Sequence, residues 1–396
     1  GVMAKGASKP RIRHMCSIGT LGGYGGKKGE WTVEQKLKRI RKAGFDGFLG
    51  RIPMITREIV DKSGLIFAAT IDVGGIPEIK GKFTSIKEAG ARCVNVQMLD
   101  HDTSTDLAVE VARGVMDAAD ELEMDVAIEV HRDTCTETPE KAYALASGYE
   151  DAEGKPLKMT WDFSHPAVIK HLNPPYWDRL AERVDLIQFA QQFHFRPFNG
   201  HHAQVPALNS KGELTPEFVD FMVFADRVIG CWMETATPGR EMFACPEQIA
   251  GGYMLSVFGD RFKDVKAIRK ALDQSFKKHA KKWKPPTVYE QAADEATEPA
   301  LDQNSIDAMV NAQGSQADEL ESLLEDLGDD EESGADQLED LVESLEAEPE
   351  EENLDDLLYQ ATLRDVENTD SDAGEASAEV APEADSEETT EEELDE

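Results

Sequence analysis

The chain has 396 residues, and its formal charge of −38 is distributed very unevenly. Residues 1–284 carry 38 acidic and 40 basic side chains, whereas 285–396 carry 41 acidic and one basic, Arg364. This excludes a uniformly acidic folded surface and points to a nearly neutral globular unit followed by an acidic extension.

In chain order, short runs of β-formers alternate with helical patterns. The stretch GVMAKGASKPRIRH has no apolar segment of the signal-peptide kind, and Met3 is a candidate start. Strands are expected at 13–18, 47–49, 65–71, 93–98, 125–130, 158–163, 186–194 and 228–234. After the first comes the glycine-rich IGTLGGYGGKKG, which matches neither a dinucleotide fingerprint nor a Walker loop and is expected to be a mobile loop at a barrel mouth or, through Lys27 and Lys28, a phosphate or substrate contact. A helix over 32–43 has Thr32 as N-cap, Gln35 three residues on and Gly44 as its stop. A second, over 105–123, places Leu107, Val111, Val115, Ala118 and Leu122 on one stripe. Further helices are expected at 139–147, 167–171, 177–183, 215–227, 245–258 and 263–282.

Eight strands with intervening helices over roughly 280 residues predict a (β/α)8 TIM barrel. The expected organisation is an N-terminal arm at 1–11, a barrel at 12–284 and a disordered acidic low-complexity tail at 285–396. Lys284-Pro285-Pro286 marks the boundary, beyond which aromatics nearly vanish. The amphipathic islands LDQNSIDAMV, DELESLLEDL, DQLEDLVESL and NLDDLLYQATL interrupt the tail. Each is too short for a stable isolated helix, so they are expected either to solvate the tail or to dock on a protein partner.

Five cysteines stand apart from one another with no Cys-x-x-Cys pair, which suits a reduced, cytoplasmic setting. No run of 18 apolar residues occurs, so no membrane-spanning helix is expected.

Four side chains recur at expected strand ends: Glu129 in VAIEVHRDT, Asp162 in MTWDFSH, His194 in FAQQFHFRP and Glu234 in CWMETATPG. A closed parallel sheet gathers its strand C-termini on one face. Three carboxylates and one imidazole converging there would hold one divalent ion, Mn²⁺, Mg²⁺, Co²⁺ or Zn²⁺. Read singly, each has a plainer role: Asp162 as a helix cap, His194 as a hydrogen-bonded core histidine.

Over about residues 12–280 the chain resembles the xylose-isomerase-like TIM-barrel superfamily of sugar phosphate isomerases and epimerases. The pieces that carry the likeness are EVHRDT, the Asp-x-x-His of DFSH, the strand-7 His194, and ETATPG. The resemblance implies Glu129, Asp162, His194 and Glu234 as metal ligands. It makes Glu129 and Glu234 the acid/base pair, and sets His131, Arg132 and His165 against the substrate. Such enzymes move a proton between adjacent carbons of a hydroxy-carbonyl compound, giving epimerisation, isomerisation or, by loss of a β-hydroxyl, dehydration of a keto-polyol. Where related epimerases often carry an arginine six residues after the strand-7 histidine, this chain has Gly200. Arg196 and His201 stand nearby and are expected to face the substrate, a sugar, sugar phosphate or polyol derivative.

Two other classes compete. The same superfamily includes a trinuclear zinc endonuclease, but the nearly neutral barrel lacks the basic footprint that nucleic acid requires. A non-enzymatic interaction protein recruited through its tail is the second; LDQNSIDAMV resembles a docking motif of flagellar switch proteins. No nucleic-acid or membrane partner is expected, and the sequence leaves the oligomeric state open.

Overall fold

The computed structural model describes residues 8–286. Most of the arm at 1–11, and the acidic segment beyond 286 with its islands and docking-motif resemblance, lie outside the described residues.

Eight parallel strands close into a barrel in sequence order. They are β1 Arg11–Ser17, β2 Gly47–Gly50, β3 Ile66–Val73, β4 Cys93–Met98, β5 Asp125–Glu129, β6 Met159–Trp161, β7 Gln192–His194 and β8 Glu241–Cys245. The seam pairs Arg11 with Glu241 and His14 with Ala244. Ten helices accompany them among the described residues: α1 Val33–Lys42, α2 Arg57–Ser63, α3 Ile79–Glu88, α4 Thr105–Glu121, α5 Pro139–Glu153, α6 Ser164–Ile169, α7 Trp177–Leu180, α8 Val184–Phe189, α9 Pro216–Glu234 and α10 Arg261–Lys282. The (β/α)8 architecture is the one the alternation of patterns predicts.

Local chemistry sets several boundaries. Thr32 and Gln35 form the expected reciprocal capping box on α1, and Gly44 turns the chain out of it at φ 79°. In α4 the buried stripe is Ala108, Val111, Ala112, Val115, Met116 and Ala119. Leu107, expected on that stripe, is 46% exposed.

The interior follows the two-residue period of the strands. Met15, Leu49, Ala68, Cys93, Phe243 and Cys245 form a separate apolar cluster that fills the barrel's middle. At the N-terminal end, Arg13 and Arg92 pair with Glu241, and Lys158 pairs with Asp125. Positions one period beyond the apolar layer, at the C-terminal mouth, carry the polar groups described below. The larger core lies between strands and helices. All five cysteines are buried and unpaired. Among the described residues, no helix is long and apolar enough to cross a membrane.

Three expectations are corrected. Residues 228–234, read as the eighth strand, are the last two turns of α9. Thr215 caps that helix by accepting from Phe218 N at 3.2 Å, with Pro216 in its first turn. Phe218, Phe221, Met222, Ala225, Ile229 and Trp232 recur at helical spacing and are buried. The helix is wedged so deeply that Val228, Cys231 and Met233 are buried too, and an all-round apolar helix imitates a buried strand. The true β8 begins at Glu241, beyond Gly239 at φ 71°. The helix expected at 245–258 is absent: Cys245 ends β8, and only a 3₁₀ turn at Gly251–Tyr253 follows. Pro246 and the Gly251-Gly252 pair disfavour a continuous helix there. Finally, the strand expected at 186–194 is divided into α8 and the three-residue β7.

Candidate metal centre

The last inward-facing positions of β5 to β8, or the first just beyond them, bring four ligand-type side chains together. They are Glu129, Asp162, His194 and Glu247, each with a donor atom within 4.8 Å of the others. Three were singled out in the sequence; the fourth is Glu247 and not Glu234. Glu234 is exposed at the C-terminus of α9. A helix after a barrel strand runs back toward the strand N-termini, so Glu234 belongs to the opposite end of the barrel. The missed signal lies in EMFACPE: Glu241, Phe243, Cys245 and Glu247 alternate in step with Asp125, Ala127 and Glu129 on β5.

Each carboxylate is oriented by neighbours. Glu129 Oε2 accepts from Asn95 Nδ2 at 2.6 Å and Gln97 Nε2 at 3.0 Å, both from β4, while Oε1 lies 2.9 Å from His194 Nδ1. The loop after β5 is held from beneath by buried hydroxyls. Thr136 Oγ1 donates to Glu129 O at 2.6 Å and accepts from His131 N at 3.2 Å, and Thr134 Oγ1 donates to His131 O at 2.7 Å. That explains why the segment EVHRDTCTET is so rich in threonine.

The two carboxylate oxygens of Asp162 have different surroundings. Oδ1 accepts from Ser164 N at 3.0 Å and Ser164 Oγ at 2.5 Å as α6 begins. Oδ2 is buried without a hydrogen-bond partner. His165 Nε2 at 3.2 Å and Arg196 Nε at 3.5 Å approach it as charge neighbours outside hydrogen-bonding geometry. Arg196, itself 2% exposed, donates from Nη2 to Glu247 Oε2 at 2.7 Å and from Nη1 to Gln204 Oε1 at 3.2 Å. Gln204 in turn accepts from Ile249 N at 3.0 Å, joining the loops after β7 and β8.

The electrostatics follow from burial and pairing. Burial is the largest single influence on Glu129 and opposes its ionisation, but the charge and hydrogen bond of His194 together with the His131 charge outweigh it and hold the carboxyl down at about 2. Burial opposes protonation of His194, but Glu129 and Glu247 raise it to about 9. Asp162 is held well below the carboxylate range because His165, Arg196 and His194 outweigh burial. Burial dominates at His165 and lowers its basicity.

This donor set fits a divalent cation. Oxygen and imidazole donors with no thiolate suit Mg²⁺, Mn²⁺, Co²⁺ or Zn²⁺. A buried carboxylate oxygen lacking a partner is costly in a metal-free protein. Three carboxylates also balance one guanidinium plus a dication, once His194 gives up its proton to ligate.

The residues expected to face the substrate divide into two groups. His131 and His165 meet with ring centroids 3.9 Å apart and planes tilted by 46°, and with Glu129 they form a second group of closely placed ligand-type atoms. Arg132 lies at the exposed rim over Tyr253. Arg196 lies within the cluster as a partner of its carboxylates. His201 is exposed and meets His171 edge-on at 4.5 Å, and among the described residues no contact joins it to the cluster. At Gly200 a Cβ would lie 2.0 Å from Leu172 O. Backbone packing therefore forbids an arginine there, and Arg196 supplies the guanidinium from β7's own continuation.

No family model matches the chain, and no curated protein matches it. Solved structures similar to it include a D-tagatose 3-epimerase-like protein at 12% identity, with 67% of this chain and 99% of the other covered and a TM-score of 0.44. Another is a xylose isomerase-like TIM-barrel protein from Mycobacterium smegmatis in complex with magnesium, at 15%, 67%, 97% and 0.42 by the same measures. A third is a probable 3-DHS dehydratase from Bacillus anthracis involved in petrobactin synthesis, at 17%, 66%, 98% and 0.43. Xylose-isomerase-like TIM barrels are thus among the solved structures to which this chain is similar.

Proposed function

We propose that the barrel is a divalent-metal-dependent isomerase or epimerase acting on a sugar, sugar phosphate or polyol derivative. The observation that supports it is the convergence of Glu129, Asp162, His194 and Glu247, with Asp162 Oδ2 left without a hydrogen-bond partner. A bound divalent ion supplies a Lewis acid that acidifies the carbon between a substrate's carbonyl and hydroxyl groups.

In this reading the protein's own groups do the proton chemistry. Glu129 and Glu247 stand at the two ends of the arc that β5 to β8 trace around the mouth, so they address a substrate carbon from different sides. One, as carboxylate, takes the proton from carbon and keeps it, while the other, protonated beforehand, gives its own proton to the opposite face, which epimerises the centre. Return by the same carboxylate to the neighbouring carbon interconverts aldose and ketose. Asn95 and Gln97 hold Glu129, and Arg196 holds Glu247, so that neither base must reorganise as charge moves. His131 and His165 offer imidazole nitrogens to substrate hydroxyls.

The test is solvent-deuterium exchange into a panel of aldoses, ketoses and keto-polyols, with the metal-loaded protein. Exchange at the carbon next to the carbonyl is expected, and loss of a β-hydroxyl in the same assay would assign the dehydratase variant. Full metal occupancy with no exchange into any member would contradict the proposal and leave the barrel a binding module.

A further inference from the structure

Two guanidinium groups share one aromatic ring at the mouth of the site. The Cζ of Arg196 lies 4.2 Å from the Tyr253 ring centroid, and that of Arg132 lies 4.5 Å from it. Tyr253 ends the 3₁₀ turn that follows β8; Arg132 follows Glu129 by three residues. A guanidinium over an aromatic face is attracted by the ring quadrupole and loses freedom before any ligand arrives.

The two arginines differ in what else they meet. Arg196 is buried and engaged by Glu247, Gln204 and Asp162. Arg132 is exposed and, among the described residues, makes no side-chain hydrogen bond or ion pair. The carboxylate next to it in sequence, Asp133, is held by His101 instead, Nδ1 to Oδ1 at 2.6 Å. With three carboxylates, Arg196 and a dication balanced, Arg132 is a surplus positive charge with its donors unused. A neutral polyol gives such a group nothing to pair with. A terminal anion does, through two parallel charge-assisted hydrogen bonds.

Resting on the metal-dependent reading above, we infer that the substrate carries an anionic group, carboxylate or phosphoryl, remote from its reacting carbons, and that Arg132 binds it. Tyr253 is a positioning residue that holds the guanidinium toward the site.

The test is calorimetric titration of the metal-loaded protein with three matched probes: D-glucose, D-glucuronate and D-glucose 6-phosphate. At least one anionic probe should bind tenfold or more tightly than glucose, and which of the two does so distinguishes carboxylate from phosphoryl. Arg132→Gln should bring that ratio close to one. Arg132→Lys should keep part of the preference, and Tyr253→Ala should lower it without abolishing it. Equal affinity for the three probes, no binding of any, or an anion preference that survives Arg132→Gln would overturn the inference. Metal content and deuterium exchange are read separately. An anion preference without exchange sinks the isomerase reading alone, and exchange without the preference sinks only this one.

Discussion

Arg196 Nη2 donates to Glu247 Oε2 at 2.7 Å, binding the continuation of β7 to the segment that follows β8. The contact aims a carboxylate that lies beyond the end of its own strand. Without it, Glu247 would hang on a loop whose only regular element is a single 3₁₀ turn.

The two glutamates that compete for the fourth ligand position make a matched pair for mutation. With Glu247 as the proposed ligand and acid/base group, Glu247→Gln should lower metal affinity and turnover by at least ~100-fold. Glu234→Gln, on an exposed helix end, should leave both unchanged. Metal content after dialysis, measured for the two variants side by side, decides between them.

Asn95 offers a test of how much orientation matters. Its Nδ2 donates to Glu129 Oε2 at 2.6 Å from a fully buried position. Asn95→Ala leaves Gln97 as the remaining amide donor to that oxygen, and should cost about 10-fold in metal affinity or turnover. Titration of the metal-free variant with Mn²⁺ measures it; wild-type affinity would show that Gln97 suffices.

Gly200 carries a packing prediction. Because its missing Cβ would meet Leu172 O at 2.0 Å, Gly200→Ala should destabilise the barrel by about 1–3 kcal/mol through backbone displacement. Urea unfolding compares it with wild type. An unchanged midpoint would mean that the 172 and 200 segments separate easily.

The acid limb of stability should depend on Asp226. Burial opposes its ionisation, but hydrogen bonds from His279, Ser275 and Lys278 outweigh burial and lower it from 3.8 to about 2. Its folded value lies below its unfolded one. The stabilisation is therefore complete above about pH 4 and is lost as pH falls through about 2. Allowing for solvent screening of a partly exposed group, it amounts to about 1–2 kcal/mol. Asp226→Asn should lower stability near pH 7 by that amount and flatten the curve below pH 4, as read by chemical unfolding across pH.

The barrel was legible because period-two runs alternate with capped helical stripes, as Thr32 and Gln35 on α1 illustrate. Three of the four clustered residues were legible for the same reason: Glu129, Asp162 and His194 close recognisable runs of β-formers. Glu247 was not, because it lies two residues beyond the end of β8 at Cys245, past Pro246, and that strand follows α9. That helix's Val228, Ile229, Cys231 and Trp232 present a stronger strand-like signal than Met242, Phe243 and Ala244 do. Local hydrophobicity could not separate the apolar last turns of α9 from a strand. The alternation that carries Glu241, Phe243, Cys245 and Glu247 around the barrel could. Nor was the Arg132–Tyr253–Arg196 association visible, since it joins three loops far apart in sequence.

In the proposed site, four side chains at or just beyond the ends of β5 to β8 hold one divalent ion. An anomalous difference map from crystals grown with Mn²⁺ tests it most directly. The account predicts one peak ~2.0–2.5 Å from side-chain atoms of Glu129, Asp162, His194 and Glu247, and no peak near Glu234. A fully Mn²⁺-equilibrated crystal with no density between those four residues, or with the ion held elsewhere, would contradict it.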